Sequence, residues 1–308
     1  MNEILKLWDL PESSVYIKIR SPLREEFFSY LASNFGGYRV LGKKLKMTTA
    51  SVFKKKTGKY FTSLRLIKKL LDMCPIDLRY SFKERIENNV EEIKAQSSSN
   101  SIINPKFPLE FSQYLARIAG HLIGDGGVKN DNIVHYTGNC IFLLDEFRND
   151  IIDVIGHTKC GEYCHRRKED KTIWFSGIVG IILKNFFKDC GSNFKIVPKL
   201  ILDSDEKSKL LFLRSLFDDE SHVNMSAKTI MFKMSNISVI KIIKSLLEDF
   251  DIVTGKIGKT RNSEDEKFRY YFYISNKTNL DKFNKLIGFT DPEKKSSLNS
   301  LIQEYVRK

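Results

Sequence analysis

The chain has 308 residues, with 51 Lys and Arg against 38 Asp and Glu, a net charge of +13 and a pI near 9.3. A charge that large points to a polyanionic partner. Five cysteines, an odd number without paired spacing, exclude a disulfide framework and fit a reducing intracellular compartment, cytoplasm or nucleoid. No apolar run reaches membrane-spanning length and no signal peptide opens the sequence, so a soluble chain that is neither secreted nor membrane-bound is expected.

Residues 1–96 predict a small DNA-binding domain. Val15 to Arg20 is strand-like, and Pro22 starts a helix whose apolar face is Leu23, Phe27, Phe28 and Leu31. Lys43 to Lys69 holds ten basic residues and no acid. At its start, Val40, Leu41 and Leu45 suggest one short helix, and Thr48 or Thr49 caps a second that ends at Lys56. A third runs from Leu64 to Met73. This all-α order resembles a helix-turn-helix, with Lys54, Lys55 and Lys56 on or beside the recognition helix, facing phosphates. Phe82 to Ala95 reads as a charged helix, and residues 97–108 as a linker.

The segment Leu115 to Val128 is an amphipathic helix with Leu115, Ile118 and Leu122 on one face. Ala116, Gly120 and Gly124 form a second stripe of small side chains. Gly costs about 1 kcal/mol inside a helix, so the stripe predicts close approach by another helix. Leu210 to Val223 matches it in register, with Ser215 on Gly120 and Glu220 on Asp125. Each helix ends in an acid, at the unfavourable end of its dipole. Two such acids side by side make sense around a divalent cation.

After each helix the order repeats. Strands flank turns at 130–132 and 168–171 in one half, and at 226–228 and 262–266 in the other, with helices at 141–155, 178–190, 237–250 and 278–287. The expected fold is α+β: two pseudo-symmetric αββαββα halves, 109–203 and 204–308, each with an antiparallel sheet. Helices cover one sheet face. The other should present Lys129, His135, Arg167, Lys171, Lys228, Lys233, Arg261 and Arg269, interleaved with Tyr136, Trp174, Tyr271 and Tyr273, to a DNA groove. His157, Cys160, Cys164 and His165 lack paired zinc-ligand spacing. His121 is read as packed or capping.

Ile118 to Gly126 (Ile-Ala-Gly-His-Leu-Ile-Gly-Asp-Gly) resembles the nine-residue signature of the LAGLIDADG homing endonucleases, and Leu213 to Ser221 resembles the second copy of single-chain members. His121 and Ser221 depart from a pattern that is usually apolar and Gly there. The resemblance implies saddle-shaped sheets and a monomeric, sequence-specific double-strand DNA endonuclease. Asp125 and Glu220 would share Mg²⁺ with the carbonyls of Gly124 and Asp219. A basic residue would follow the last helix of each half, Lys199 and Lys294, with Lys195 and Lys295 as competitors. The alternatives are a DNA-binding transcriptional regulator that does not cleave, and a maturase that binds intron RNA. Neither terminus carries the nucleophile or the His-Asn pair of an intein.

Overall fold

Val15, Ile17 and Ile19 alternate with Tyr16 and Lys18, and the chain is extended there as β2 (Val15–Ile19), after a two-residue β1 (Ile4–Leu5). The structure, a computed structural model, describes residues 4–96, 98, 100–164, 170–188, 195–261 and 268–305. Five helices and two strands complete the N-terminal region: α1 (Leu23–Asn34), α2 (Tyr38–Leu45), α3 (Thr49–Lys56), β3 (Thr62–Ser63), α4 (Leu64–Asp72), α5 (Ile76–Glu87) and β4 (Val90–Ala95). The Thr48 hydroxyl accepts the Ser51 N–H and caps α3, and Ser63 caps α4 in the same way. Between α2 and α3 the turn is tight: a Cβ on Gly42 would lie 2.9 Å from the Met47 carbonyl oxygen.

Two short strands follow, β5 (Ile102–Ile103) and β6 (Leu109–Glu110), the latter paired with β1. The first half is then α6 (Gln113–Ile123), β7 (Gly126–Val128), β8 (Val134–Gly138), α7 (Ile141–Ile155), β9 (His157–Thr158), β10 (Cys160–Cys164), β11 (Lys171–Phe175) and α8 (Gly177–Phe186). A short α9 (Lys199–Leu202) leads to the second: α10 (Glu206–Glu220), β12 (Ser221–Asn224), β13 (Thr229–Met234), α11 (Ile237–Asp249), β14 (Gly258–Arg261), β15 (Phe268–Ser275), α12 (Lys277–Leu286) and α13 (Pro292–Glu304). Each half carries a four-stranded antiparallel sheet, β10-β11-β8-β7 and β14-β15-β13-β12, with the same strand order. The αββαββα reading is thus observed twice, with β9 added to the first copy.

The N-terminal region departs from the all-α expectation. A five-stranded sheet, β3-β2-β4-β5-β9, runs through it. Residues 90–95, expected to extend a helix, form β4 instead. Its partner lies far off in sequence: Ile17 pairs with Ile93 and Val15 with Ala95, burying all four side chains. The same sheet crosses residue 96, because β4 pairs with β5 and β5 with β9 of the first half. The segment expected as a linker, 97–108, therefore contributes a strand, β5. Among the described residues no helix is long and apolar enough to cross a membrane.

In both halves one sheet face is covered by helices. Val134, Tyr136, Ile173 and Phe175 are buried on the first sheet, and Ile230, Phe232, Phe272 and Ile274 on the second. Each buried aliphatic or Phe side chain contributes on the order of 1.5–3 kcal/mol. The opposite faces are left for solvent or a ligand.

Candidate active site and nucleic-acid interface

The stripe of small residues on α6 meets α10. A Cβ on Gly120 would lie 1.9 Å from Ser215 Oγ and 2.7 Å from the Phe212 carbonyl oxygen. One on Gly124 would lie 2.5 Å from Asp219 Oδ2. Gly120 thus faces Ser215 and Gly124 faces Asp219, the residue at its own position in the other repeat. Equivalent positions that meet each other in rising order define two parallel helices about a pseudo-two-fold axis. Ala116 and Ser215 are fully buried beside them. The crossing carries Asp125, just past the end of α6, and Glu220, the last residue of α10, to one place.

That place disfavours negative charge. Asp125 keeps an exposed face, yet the desolvation imposed by the surrounding protein, followed by the charge of Asp219, pushes its carboxyl up to about 7. Glu220 is pushed up to about 8, first by burial and then by the charges of Asp125 and Asp219. The charge of Asp125 thus weighs on Glu220, and that of Asp219 on both acids. Lys294, in the first turn of α13, offsets part of this effect at both acids, and its Nζ donates to the Asp218 carbonyl. Lys199 opens α9. Asp218 is buried and accepts the N–H groups of Thr290 and Asp291 at 3.0–3.1 Å, which fastens α10 to the start of α13 and so places Lys294.

Below the acids lies a polar cluster that the sequence did not announce. The Asp219 carboxylate is fully buried. It faces His121 Nδ1 at 3.1 Å and accepts the Tyr136 hydroxyl at 2.6 Å and, more loosely, the Asp125 N–H at 3.4 Å. On the other side of the imidazole, Nε2 is 3.5 Å from Glu146 Oε1. Arg117 closes the network, donating to Glu146 at 2.6 Å and to both Asp150 oxygens at 2.6 Å. Burial alone would lower the pKa of His121, but the adjacent Asp219 and Glu146 charges outweigh it and raise it to about 10, so the imidazolium persists at neutral pH. His121 is packed, as expected, and it is charged. The sequence signal was a pair of coincident departures: His121 stands against Leu216 of the other repeat, and Asp219 against Gly124.

Strand register sorts the expected DNA contacts. Residues opposite each other share a face. His135 pairs with Trp174, and Lys233 with Tyr271, opposite the helix-covered side. Arg269 and Tyr273 alternate onto the same face as Tyr271, and the Arg269 charge also reaches Glu220. Lys129 is exposed just beyond β7. Four expectations change. Tyr136 points into the core, because it shares the parity of Val134. Lys171 shares the helix-covered face with Ile173 and Phe175, and Arg261 pairs with Phe268 and so lies opposite in parity to Arg269. Lys228 is drawn to α13, 3.1 Å from Glu304. Arg167 lies outside the described residues. Counting also missed Tyr163, Met231 and His222, which register puts on the outer faces.

In the N-terminal region the helix-turn-helix spacing of α2 and α3 is present. Lys54 reaches the Tyr60 hydroxyl at 3.3 Å, and Lys56 lies 5.1 Å from the Tyr38 ring centre. Lys55 turns inward and donates to the Phe61 carbonyl at 2.8 Å, with its pKa lowered by burial. It is therefore not placed to meet a phosphate.

Two pseudo-symmetric α+β units joined at parallel helices that end in acids define the class. Residues 207–288 match the family model described as LAGLIDADG-like domain. The match lies in the second half and includes Leu213 to Ser221, the segment in which the resemblance was read, and the first half repeats the architecture of the second. Among curated proteins the chain is 24% identical over 219 residues to glutamine–fructose-6-phosphate aminotransferase of Methanocaldococcus jannaschii, covering 70% of this chain and 20% of that one. It is 25% identical over 224 residues to the replication factor C small subunit of the same organism, covering 69% and 12%. The chain thus spans a fifth or less of the length of these relatives. Similar solved structures include I-DmoI in complex with DNA and Mn, at TM-score 0.41 and 14% identity over 57% of this chain and 96% of that one. Full-length DUF199/WhiA from Thermatoga maritima has TM-score 0.46 and 13% identity over 64% and 61%.

Proposed function

We propose that the chain is a site-specific, divalent-metal-dependent double-strand DNA endonuclease of the homing type, active as a monomer because one chain supplies both halves. The observation that carries this reading is the pair Asp125 and Glu220, brought together at the helix crossing with both carboxyls pushed up by burial and by acidic neighbours. Two oxygen donors held against their mutual repulsion suit a hard cation. Such a pair suits Mg²⁺, which takes one or two carboxylates and fills its shell with waters and substrate phosphates. The carbonyls of Gly124 and Asp219 are the further donors in this reading. When bound, the ion would supply charge to the phosphate oxygens and acidify a water. Lys294 holds a positive charge beside both acids, suited to a developing oxyanion. The outer sheet faces, with Lys233, His135 and Arg269, would track the groove and its phosphates. The net charge of +13 supports binding on a polyanion.

A DNA-binding regulator that does not cut is the second reading, favoured by the capped α2–α3 pair. Incubation with a random-sequence duplex library in Mg²⁺, with and without chelator, separates the two. Chelator-sensitive double-strand breaks at one sequence, lost in Asp125→Asn and Glu220→Gln, support the endonuclease. Tight binding of one sequence with no nick in Mg²⁺ or Mn²⁺ supports the regulator.

A further inference from the structure

The two halves match in architecture but not beneath their acids. Gly126 follows Asp125 and pairs with Tyr136, while Ser221 follows Glu220 and pairs with Phe232. Tyr136 and Phe232 therefore occupy equivalent places, as do His121 and Leu216, and Gly124 and Asp219. The second half is apolar at two of these places, and all the polar partners stand in the first. Asp219 is the exception. It projects from α10 into the first half, into space that exists because Gly124 has no Cβ. Among the described residues its hydrogen-bond partners all belong to the first half: His121 Nδ1, the Tyr136 hydroxyl and the Asp125 N–H.

Asp219 is thus tied to both acids of the candidate site. It is bonded through the chain to Glu220, the next residue, and through a hydrogen bond to the peptide that bears Asp125. Glu220 has no counterpart contact, because Gly124 offers no side chain. From this we infer that Asp219, locked by His121 and Tyr136, is a positioning residue that sets the place of Asp125 relative to Glu220 and so tunes the affinity of the shared cation. The inference rests on the endonuclease reading. An imidazolium and a carboxylate buried together are costly to separate, so the pair can hold one geometry. Groups that orient ligands from behind typically change metal affinity or activity 10–100-fold when removed.

The test is the double variant His121→Leu/Asp219→Gly, which gives each helix the residue its counterpart carries. It deletes both buried charges together, so it should melt closer to wild type than His121→Leu or Asp219→Gly alone. Calcium affinity in the DNA complex, measured by calorimetry, should nevertheless fall at least about 10-fold. Single-turnover cleavage in Mg²⁺ should fall similarly at saturating DNA, with the DNA dissociation constant unchanged. Tyr136→Phe, which removes one hydroxyl, gives a milder version of the same split if the double variant does not fold. Recovery of both melting temperature and calcium affinity in the double variant would reduce the pair to a stability device and overturn the inference, as would wild-type affinity in Tyr136→Phe when the double variant does not fold. If wild type neither binds calcium with DNA nor cleaves, the endonuclease reading itself fails, an outcome visible before any variant is made.

Discussion

Gly120 gives the sharpest test of the helix crossing. On an ordinary exposed helix, Gly120→Ala would stabilise by about 1 kcal/mol through helix propensity. Here the added Cβ would lie 1.9 Å from Ser215 Oγ and 2.7 Å from the Phe212 carbonyl oxygen. The hydroxyl can rotate, although it would give up its 3.0 Å bond to that same carbonyl. The carbonyl belongs to the α10 backbone and can yield only if the helix moves. Overpacking of this kind costs roughly 1–3 kcal/mol. The two effects oppose each other and the clash wins, leaving Gly120→Ala destabilised by up to about 2 kcal/mol, worth roughly 2–4 °C per kcal/mol in melting temperature. Ser215→Gly in that background removes the nearer clash but not the carbonyl, so rescue should be partial. Gly120→Leu should force the helices apart and lose cleavage beyond its loss of stability. Thermal melts of the three variants beside cleavage assays decide the matter. A Gly120→Ala protein that melts at or above wild type and cleaves normally would refute the close crossing, and the shared two-acid centre would lose its geometric support.

The remaining predictions concern charge and architecture. Both acids bind protons more tightly folded than unfolded, so metal-free stability should fall as pH rises from about 4 through about 8; a flat profile of melting temperature over that range would contradict the repulsion. For the same reason Asp125→Asn or Glu220→Gln should raise the metal-free melting temperature at pH 8 while abolishing cleavage, and cation binding near pH 7 should release protons, read by calorimetry in buffers of different ionisation enthalpy. Lys54→Ala/Lys56→Ala should lower the slope of log affinity against log salt by about 2 if both side chains meet phosphates, and an unchanged slope would leave α3 merely solvated. A fragment starting at residue 97 should be insoluble or melt far below the full chain, because β4 is stripped from β5 and from its contact with α8; a fragment as stable as the parent would show that the sheet across residue 96 contributes nothing.

What the sequence made legible was what local chemistry decides. The α7 limits, 141 to 155, follow from a period of apolar residues and the glycine that ends it. Gly120 was legible because a glycine inside a helix carries a cost that needs a reason, and the reason proves to be Ser215. The two acids were legible because both sit at the unfavourable end of a helix dipole. What escaped was decided by distant partners. Val90–Ala95 has the composition of a charged helix, and becomes a strand only because Ile17 and Val15, more than seventy residues away, offer it an edge. Tyr136 looked like an outer-face residue until strand register fixed its parity.

The polar cluster shows a different limit. Periodicity places His121 on a buried helix face and so reads it as core, which it is. Nothing in one helix says that a buried histidine has a buried acid to meet. The information lies in the comparison of the two repeats: a histidine where the other half has leucine, and an aspartate where the other half has glycine, both on the helices that cross. Each departure alone would leave an unpaired charge, or an unmatched polar group, in the tightest part of the molecule, at a cost of several kcal/mol. Together they satisfy each other, with the Tyr136 hydroxyl on the same carboxylate and Glu146 3.5 Å from the far side of the imidazole. In a duplicated fold, paired departures from internal symmetry therefore mark places where the two copies have taken different tasks. Here that place lies directly under the acids.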